Sequence, residues 1–205
     1  PLHDSRMGRH DSNGPVFRYE VIDGVAFVGI RSMEPQYARE LERFVATAQK
    51  VRNLPVIILD LRGIPGGGLG YGLRWLGALT NETFRLRYKV AELLSPEVYA
   101  GEINSLRDDL RKADEAKSRQ YLLKYIAQAT QRLGQAEQSP PAARWGETKT
   151  YSYAGEAPQR FRGTLIVLSD KRNASSGESF ADAARSLPNV IIMGENSSGT
   201  NTFCP

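Results

Sequence analysis

Residues 163–180 read GTLIVLSDKRNASSGESF, and the order of residue types along them decides the fold class. Residues 165–169 read as a buried strand, 170–173 as a sharp polar turn, and a helix opens at Ser175 or Ser176. A strand that turns straight into a helix sets its turn residues at a helix N-terminus, where unpaired N–H groups and the dipole favour negative charge. A serine placed there can act as a nucleophile whose oxyanion is held by neighbouring backbone amides. The same letters carry a plainer meaning. Ser175-Ser176-Gly177-Glu178 fits a capping box, Ser-x-x-Glu, which starts many ordinary helices. On this segment alone, capping ranks ahead of catalysis.

A second stretch shifts that ranking. Residues 55–72, PVIILDLRGIPGGGLGYG, are again a buried strand, now running into three consecutive glycines. Small residues let backbone N–H groups approach a ligand closely. Two strand-ending turns, one glycine-rich and one carrying a serine, can supply the two halves of an oxyanion hole. The glycines fail the rival tests: Gly66, Gly68 and Gly70 each lack the glycine five positions on that a dinucleotide fingerprint needs. No Gly-Lys-Ser/Thr follows to make a phosphate loop. Nucleotide cofactors are therefore not expected, and no cofactor or metal is.

Three motifs then carry a family resemblance. Asp60-Leu61-Arg62-Gly63-Ile64-Pro65-Gly66-Gly67 resembles the Asp-Leu-Arg-x-Asn-x-Gly-Gly signature of the tail-specific, or C-terminal processing, serine peptidases. That family is related to the tricorn protease core and the retinoid-binding repeats of photoreceptor matrix. Asn173-Ala174-Ser175-Ser176-Gly177-Glu178 is similar to its nucleophile turn, and Met193-Gly194-Glu195-Asn196-Ser197-Ser198-Gly199 to its Gly-Glu-x-Thr-x-Gly stretch. The resemblance covers about residues 15–84 and 146–205 and is specific only jointly. It implies an α/β fold, a β/α spiral core like that of the crotonases and Clp peptidase, with a helical insertion and truncated at its C-terminus. It further implies Ser175 as nucleophile, Ser176 and the Gly66/Gly67 loop as oxyanion donors, a polypeptide substrate, and a periplasmic or extracellular setting.

The rest of the chain is read against these expectations. At 205 residues it can hold one sizeable core. Its +4 formal charge comes from basic residues interleaved with acids, which gives no case for nucleic acid. No apolar run approaches a membrane span, no signal peptide stands in this window, and a single cysteine, Cys204, excludes an internal disulfide. Residues 1–14 read as a loose leader containing both histidines, His3 and His10, which are more readily solvated than catalytic. Two apolar runs joined by Asp23-Gly24 predict a hairpin. Tyr37, Leu41, Phe44, Val45 and Ala48 predict a core-facing helix over 36–50, and continuous apolar strands predict a sheet buried on both faces. Tyr71, Trp75, Leu76 and Leu79 predict a short helix beyond the glycines.

Residues 85–145 change character and predict a helical insertion. A short helix is expected around 88–94, broken at Ser95-Pro96, then one long helix, since no Pro or Gly interrupts 104–133. Its functional reading is a lid; the alternative is an oligomer contact. Residues 148–153 predict an edge strand, Phe180, Ala183, Ala184 and Leu187 the inward stripe of the helix after the serine, and 190–193 a further buried strand. Glu195 beyond it reads as a solvated loop charge ahead of a site acid.

The departures from the family fall on the general base. The processing enzymes place a lysine downstream of the nucleophile at a spacing that reaches Thr200 here. Tricorn-like members use a histidine from the first core strand, where this chain has Gly29, and a downstream glutamate. The family's oxyanion-loop Asn is Ile64. Three functions follow from this reading. The first is a serine peptidase working through Ser175. The second is a catalytically silent relative that binds peptides or apolar ligands, and the third a crotonase-like acyl-thioester enzyme that would not need Ser175.

Overall fold

The computed structural model describes residues 14–91, 93–113, 116–138 and 144–202. Along the chain come strands β1 (Phe17–Ile22) and β2 (Val25–Ile30), helix α1 (Ala38–Val51), strand β3 (Val56–Asp60), helix α2 (Leu69–Leu79) and strand β4 (Phe84–Arg85). There follow β5 (Leu93–Leu94), helices α3 (Pro96–Lys112) and α4 (Ala116–Glu137), and β6 (Arg144–Trp145). The chain continues through β7 (Ser152–Tyr153), β8 (Thr164–Ser169), α5 (Ser176–Arg185) and β9 (Val190–Gly194). Two compact units result: one runs to Tyr88 and resumes at Thr150, the other is Lys89–Lys149.

The first unit is a mixed α/β fold on a parallel-rich sheet of order β1-β2-β3-β8-β9. Only β1 runs antiparallel, joined to β2 through Asp23-Gly24. Both turn residues have positive φ, 49° and 78°, as the favoured two-residue hairpin turn requires. Alternate residues of the central strands are fully buried: Ala26, Val28 and Ile30, then Ile57 and Leu59, then Leu165 and Val167. They share one core with Leu41 and Phe44 of α1, Trp75 and Leu76 of α2, and Phe180 and Ala183 of α5.

That core is jointed by aromatics. Phe44 stacks on Trp75 at 5.7 Å, and Phe180 meets both edge-on at 6.1 and 6.2 Å. Trp75 Nε1–H donates to Thr47 Oγ1 (3.1 Å), so the one polar atom of the indole is satisfied. A Cβ on Gly72 would stand 2.6 Å from the Phe180 ring, so the glycine lets α2 and α5 come together. The helix after the glycine loop is thereby clamped to the helix after the serine.

Sequence expectations fail in three places. The intervening residues of β2, β3 and β8 are only half-buried, because the helices sharing the core pack against one face of the sheet. Strand β9, expected to be buried, is exposed: Ile191 and Met193 keep 50% and 51% of their surface. Among the described residues it is the last strand of the sheet and pairs on one side only, with β8.

The third failure lies in the second unit. The described residues of 88–94 form no helix; Leu93–Leu94 pairs with Arg144–Trp145 as a short antiparallel strand. The expected long helix is two helices, α3 and α4, packed against each other. Ser95 caps α3 by accepting Val98 N–H at 3.2 Å, with Pro96 in the first turn, as helix starts favour. At its other end the chain leaves helical geometry at Ala113 (ψ 118°). There the Arg119 guanidinium donates to the carbonyls of Leu110 and Ala113, both at 3.0 Å, satisfying helix-end acceptors. A helix can therefore stop without Pro or Gly when a later side chain supplies the donors.

Candidate functional site

The site forms where two adjacent parallel strands end. Asp60 at the end of β3 is the register partner of Leu168 in β8, so the glycine loop and the serine turn leave the sheet side by side. Crevices beyond the carboxyl ends of parallel strands are where open α/β sheets bind ligands.

Asp170 ties the two turns together. Its Oδ1 accepts the N–H of Gly63 (2.9 Å) across the pair and the N–H of Arg172 (3.1 Å), while the Arg172 guanidinium holds Oδ2 at 2.8 Å. Burial pushes this carboxyl up, but Arg172 and the two N–H groups outweigh it and leave Asp170 below the usual aspartate range. A second tie is Ala174 N–H to the Ile64 carbonyl at 2.8 Å. On the β3 side, Asp60 holds Arg62 through Nε (2.8 Å) and Nη2 (2.7 Å), which stiffens the turn before the glycines. Ile64 is fully buried. A Cβ on Gly177 would lie 3.1 Å from it, so the Ile64 side chain packs under the first turn of α5.

Glycine is required at two loop positions. Gly67 has φ 120°, and a Cβ there would stand 2.2 Å from the Met33 backbone, with which Gly67 forms a parallel bridge. Gly66 has φ 141°, and its Cβ would stand 3.3 Å from Ser175 Cβ and 3.6 Å from Ser175 Oγ. The loop backbone thus lies against the serine side chain. Gly68 N–H and the Gly66 carbonyl both bond to Met33, at 2.7 and 3.1 Å. The N–H groups of Gly66, Gly67 and Ser176 meet no partner among the described residues.

Ser175 stands at the N-cap of α5 with φ 51° and ψ −117°, a region that glycine normally occupies. Such a conformation costs about 1–3 kcal/mol and persists only where the surroundings over-determine it. Its side chain makes no cap hydrogen bond, which removes the plain capping reading of Ser-x-x-Glu. A serine on a strained strand-to-helix turn, with its hydroxyl uncommitted among the described residues, has the geometry of a nucleophile elbow.

Around it the chain from 198 to 201 wraps the start of α5. Buried Glu178 accepts the N–H of Gly199 (2.6 Å), the hydroxyl of Thr200 (2.8 Å) and the N–H of Asn201 (2.9 Å). Burial raises the Glu178 pKa, but the hydroxyls of Ser197 and Thr200 with the N–H groups of Asn201 and Gly199 outweigh it, so the carboxyl lies below the ordinary glutamate value. Thr200 Oγ1 in turn accepts Ser175 N–H at 2.6 Å. One helical turn on, Ser179 Oγ lies 3.0 Å from both Tyr88 Oη and the Asn201 amide.

The candidates from the sequence separate cleanly. Ser175, Ser176, Gly66 and Thr200 are placed by these contacts around one turn, with Gly67 next to Gly66 in the glycine loop. Glu195 is exposed; its N–H bonds the Ser169 carbonyl, and its carboxylate makes no hydrogen bond or ion pair among the described residues. Gly29, on β2, pairs with Asp60 of β3, and β3 stands between it and β8. His3, His10 and Cys204 lie outside the described residues. Asp170, Tyr88, Ser179 and Asn201 were missed; only Asp170 carried a signal, a carboxylate at a strand end mirroring Asp60. Among the described residues no three His, Cys, Asp or Glu side chains gather as a metal site, and no helix is long and apolar enough to cross a membrane.

Residues 24–204 match peptidase family S41. Among solved structures, a presumptive peptidase from Parabacteroides merdae aligns at TM-score 0.54 and 16% identity, over 96% of this chain and 48% of that one. Mature CPAF aligns at TM-score 0.54 and 13% identity, over 89% of this chain and 40% of that one. At these identities the likeness is one of fold, and the chain spans at most about half the length of either structure. No curated protein matches the chain significantly.

Proposed function

The chain belongs to peptidase family S41, and from that premise we propose that it carries the nucleophile and oxyanion site of a serine-type peptidase acting on polypeptides. The observation that carries the reading is Ser175 itself: a positive-φ serine at the start of a helix, its hydroxyl uncommitted among the described residues, with the Gly66 backbone against its side chain. In this reading Ser175 Oγ attacks the scissile carbonyl carbon and gives up its proton to a general base. The oxyanion takes N–H groups from Ser176 and the Gly66/Gly67 loop, which cost no reorganisation because the turns already hold them. On collapse the C–N bond breaks, the departing amine takes the proton from the base, and the acyl-serine left behind is hydrolysed by water. A periplasmic or extracellular setting belongs to the same proposal and rests on the family alone.

The base is the part that the described residues do not supply. Glu178, the buried carboxylate at the turn, commits its oxygens to Gly199, Thr200 and Asn201. Thr200 offers a hydroxyl, which takes no proton at neutral pH. Those commitments favour a second reading, a catalytically silent relative that binds peptides.

A fluorophosphonate probe with mass-spectrometric mapping separates the two. The expected result is covalent labelling of Ser175 that Ser175→Ala abolishes and Ser176→Ala retains. Labelling that survives Ser175→Ala would falsify the assignment, and a wild-type chain inert to the probe favours the silent reading.

A further inference from the structure

In an ordinary capping box the N-cap hydroxyl reaches forward to the third helical residue, whose carboxylate reaches back to the N-cap N–H. Here Ser175 is the N-cap and Glu178 the third residue, and neither direct bond forms. A third residue stands between them. Thr200 Oγ1 accepts Ser175 N–H at 2.6 Å and donates its own proton to Glu178 Oε2 at 2.8 Å. A hydroxyl has one proton and two lone pairs. Because the proton goes to a carboxylate, the lone pairs are left for the amide, and the direction of the relay is set by charge.

The relay is anchored at both ends. Glu178 is 8% exposed and takes the flanking N–H groups of Gly199 and Asn201, which fix Thr200 from either side. Ser198 N–H bonds the carbonyl of Asn173, which is fully buried two residues before the serine. The segment carrying Thr200 is therefore fastened to the turn it caps.

We propose that Thr200 is a positioning residue for Ser175. Its hydroxyl, polarised by Glu178, completes the cap on the Ser175 N–H, holds the serine in its positive-φ conformation and leaves the serine hydroxyl free of capping duty. The proposal rests on the reading of Ser175 as nucleophile and adds to it how the turn is kept in shape. It also gives Glu178 a role that requires it charged and hydrogen-bonded, unlike that of a proton acceptor.

The test compares Thr200→Val, which keeps the shape and removes the hydroxyl, with Thr200→Ser, which keeps the hydroxyl. Amide hydrogen exchange followed by NMR needs no activity. Exchange at Ser175 should rise about tenfold in Thr200→Val, the fold-change of one net hydrogen bond, with Leu59 and Val167 unchanged and Thr200→Ser close to wild type. Labelling by the fluorophosphonate supplies a second readout: the maximal rate should fall about tenfold in Thr200→Val at unchanged half-saturating probe concentration, and return in Thr200→Ser. Should Thr200→Val fail to fold, Glu178→Gln replaces it, with the same direction and about threefold effects. Unchanged Ser175 exchange in the folded variant overturns the proposal whatever the chemistry. Raised exchange together with labelling that ignores Ser175→Ala upholds the cap and overturns only the nucleophile.

Discussion

The glycine loop after β3 and the serine turn after β8 solve one geometric problem in opposite ways. Both leave adjacent parallel strands, both pass through positive φ, and both deliver a helix into the same aromatic joint. The first uses Gly66 and Gly67, which occupy φ of 141° and 120° without a Cβ to object. The second places a serine at φ 51° within a frame: Asp170 accepts the Arg172 N–H, Glu178 the Thr200 hydroxyl, and Thr200 the Ser175 N–H. The first turn reaches its conformation by dispensing with side chains; the second keeps a side chain, accepts strain and builds a frame to hold it.

The largest effect expected from breaking that contrast is at Gly67. A methyl there meets the Met33 backbone at 2.2 Å on a φ that L-residues rarely adopt. Gly67→Ala should lose about 3 kcal/mol from overpacking and backbone strain together, read as a drop in the urea midpoint. A loss below about 1 kcal/mol would mean that the loop has room to move and is no rigid half of an oxyanion hole.

A smaller effect concerns the frame around the serine. Because the folded Glu178 pKa lies below its ordinary value, its contribution is complete at neutral pH and is lost as pH falls through the folded value. Glu178→Gln should therefore cost about 1–2 kcal/mol at pH 7, as charge-assisted hydrogen bonds do. The gap to wild type should close in acid. Urea midpoints at neutral pH and well below the glutamate range check both the size and the sign; a gap that widens in acid contradicts the frame.

The smallest effect isolates the strain. Ser175→Gly and Ser175→Ala both remove the hydroxyl, but only glycine is at ease at φ 51°. Ser175→Gly should be more stable than Ser175→Ala by about 1 kcal/mol. Equal stabilities would place the serine in an unstrained turn and remove the contrast with Gly66 and Gly67.

Much of this was legible in residue order. Two apolar runs, each ending in a polar or glycine-rich turn and then a helical stripe, announce paired strand–turn–helix units, and the buried positions of α1, α2 and α5 follow their spacing. What the sequence hid are properties of arrangement. Ser-x-x-Glu cannot reveal that a hydroxyl from residue 200 stands inside the box, because that contact joins residues far apart in the chain. The end of α3 is hidden for a similar reason: Arg119 supplies the donors from beyond the break. The exposure of Ile191 and Met193 depends on what lies beside β9, and apolar content alone cannot report a neighbour.

The burial of Trp75 has an optical consequence. The chain holds two tryptophans: Trp75 is wholly enclosed between Phe44 and Phe180, and Trp145, in the second unit, keeps 70% of its surface in solvent. An indole packed among rings emits at shorter wavelength than one in water, so the two units carry distinguishable intrinsic fluorophores. The blue edge of the emission watches the joint that clamps the glycine-loop helix to the serine helix, and the red edge watches the helical unit.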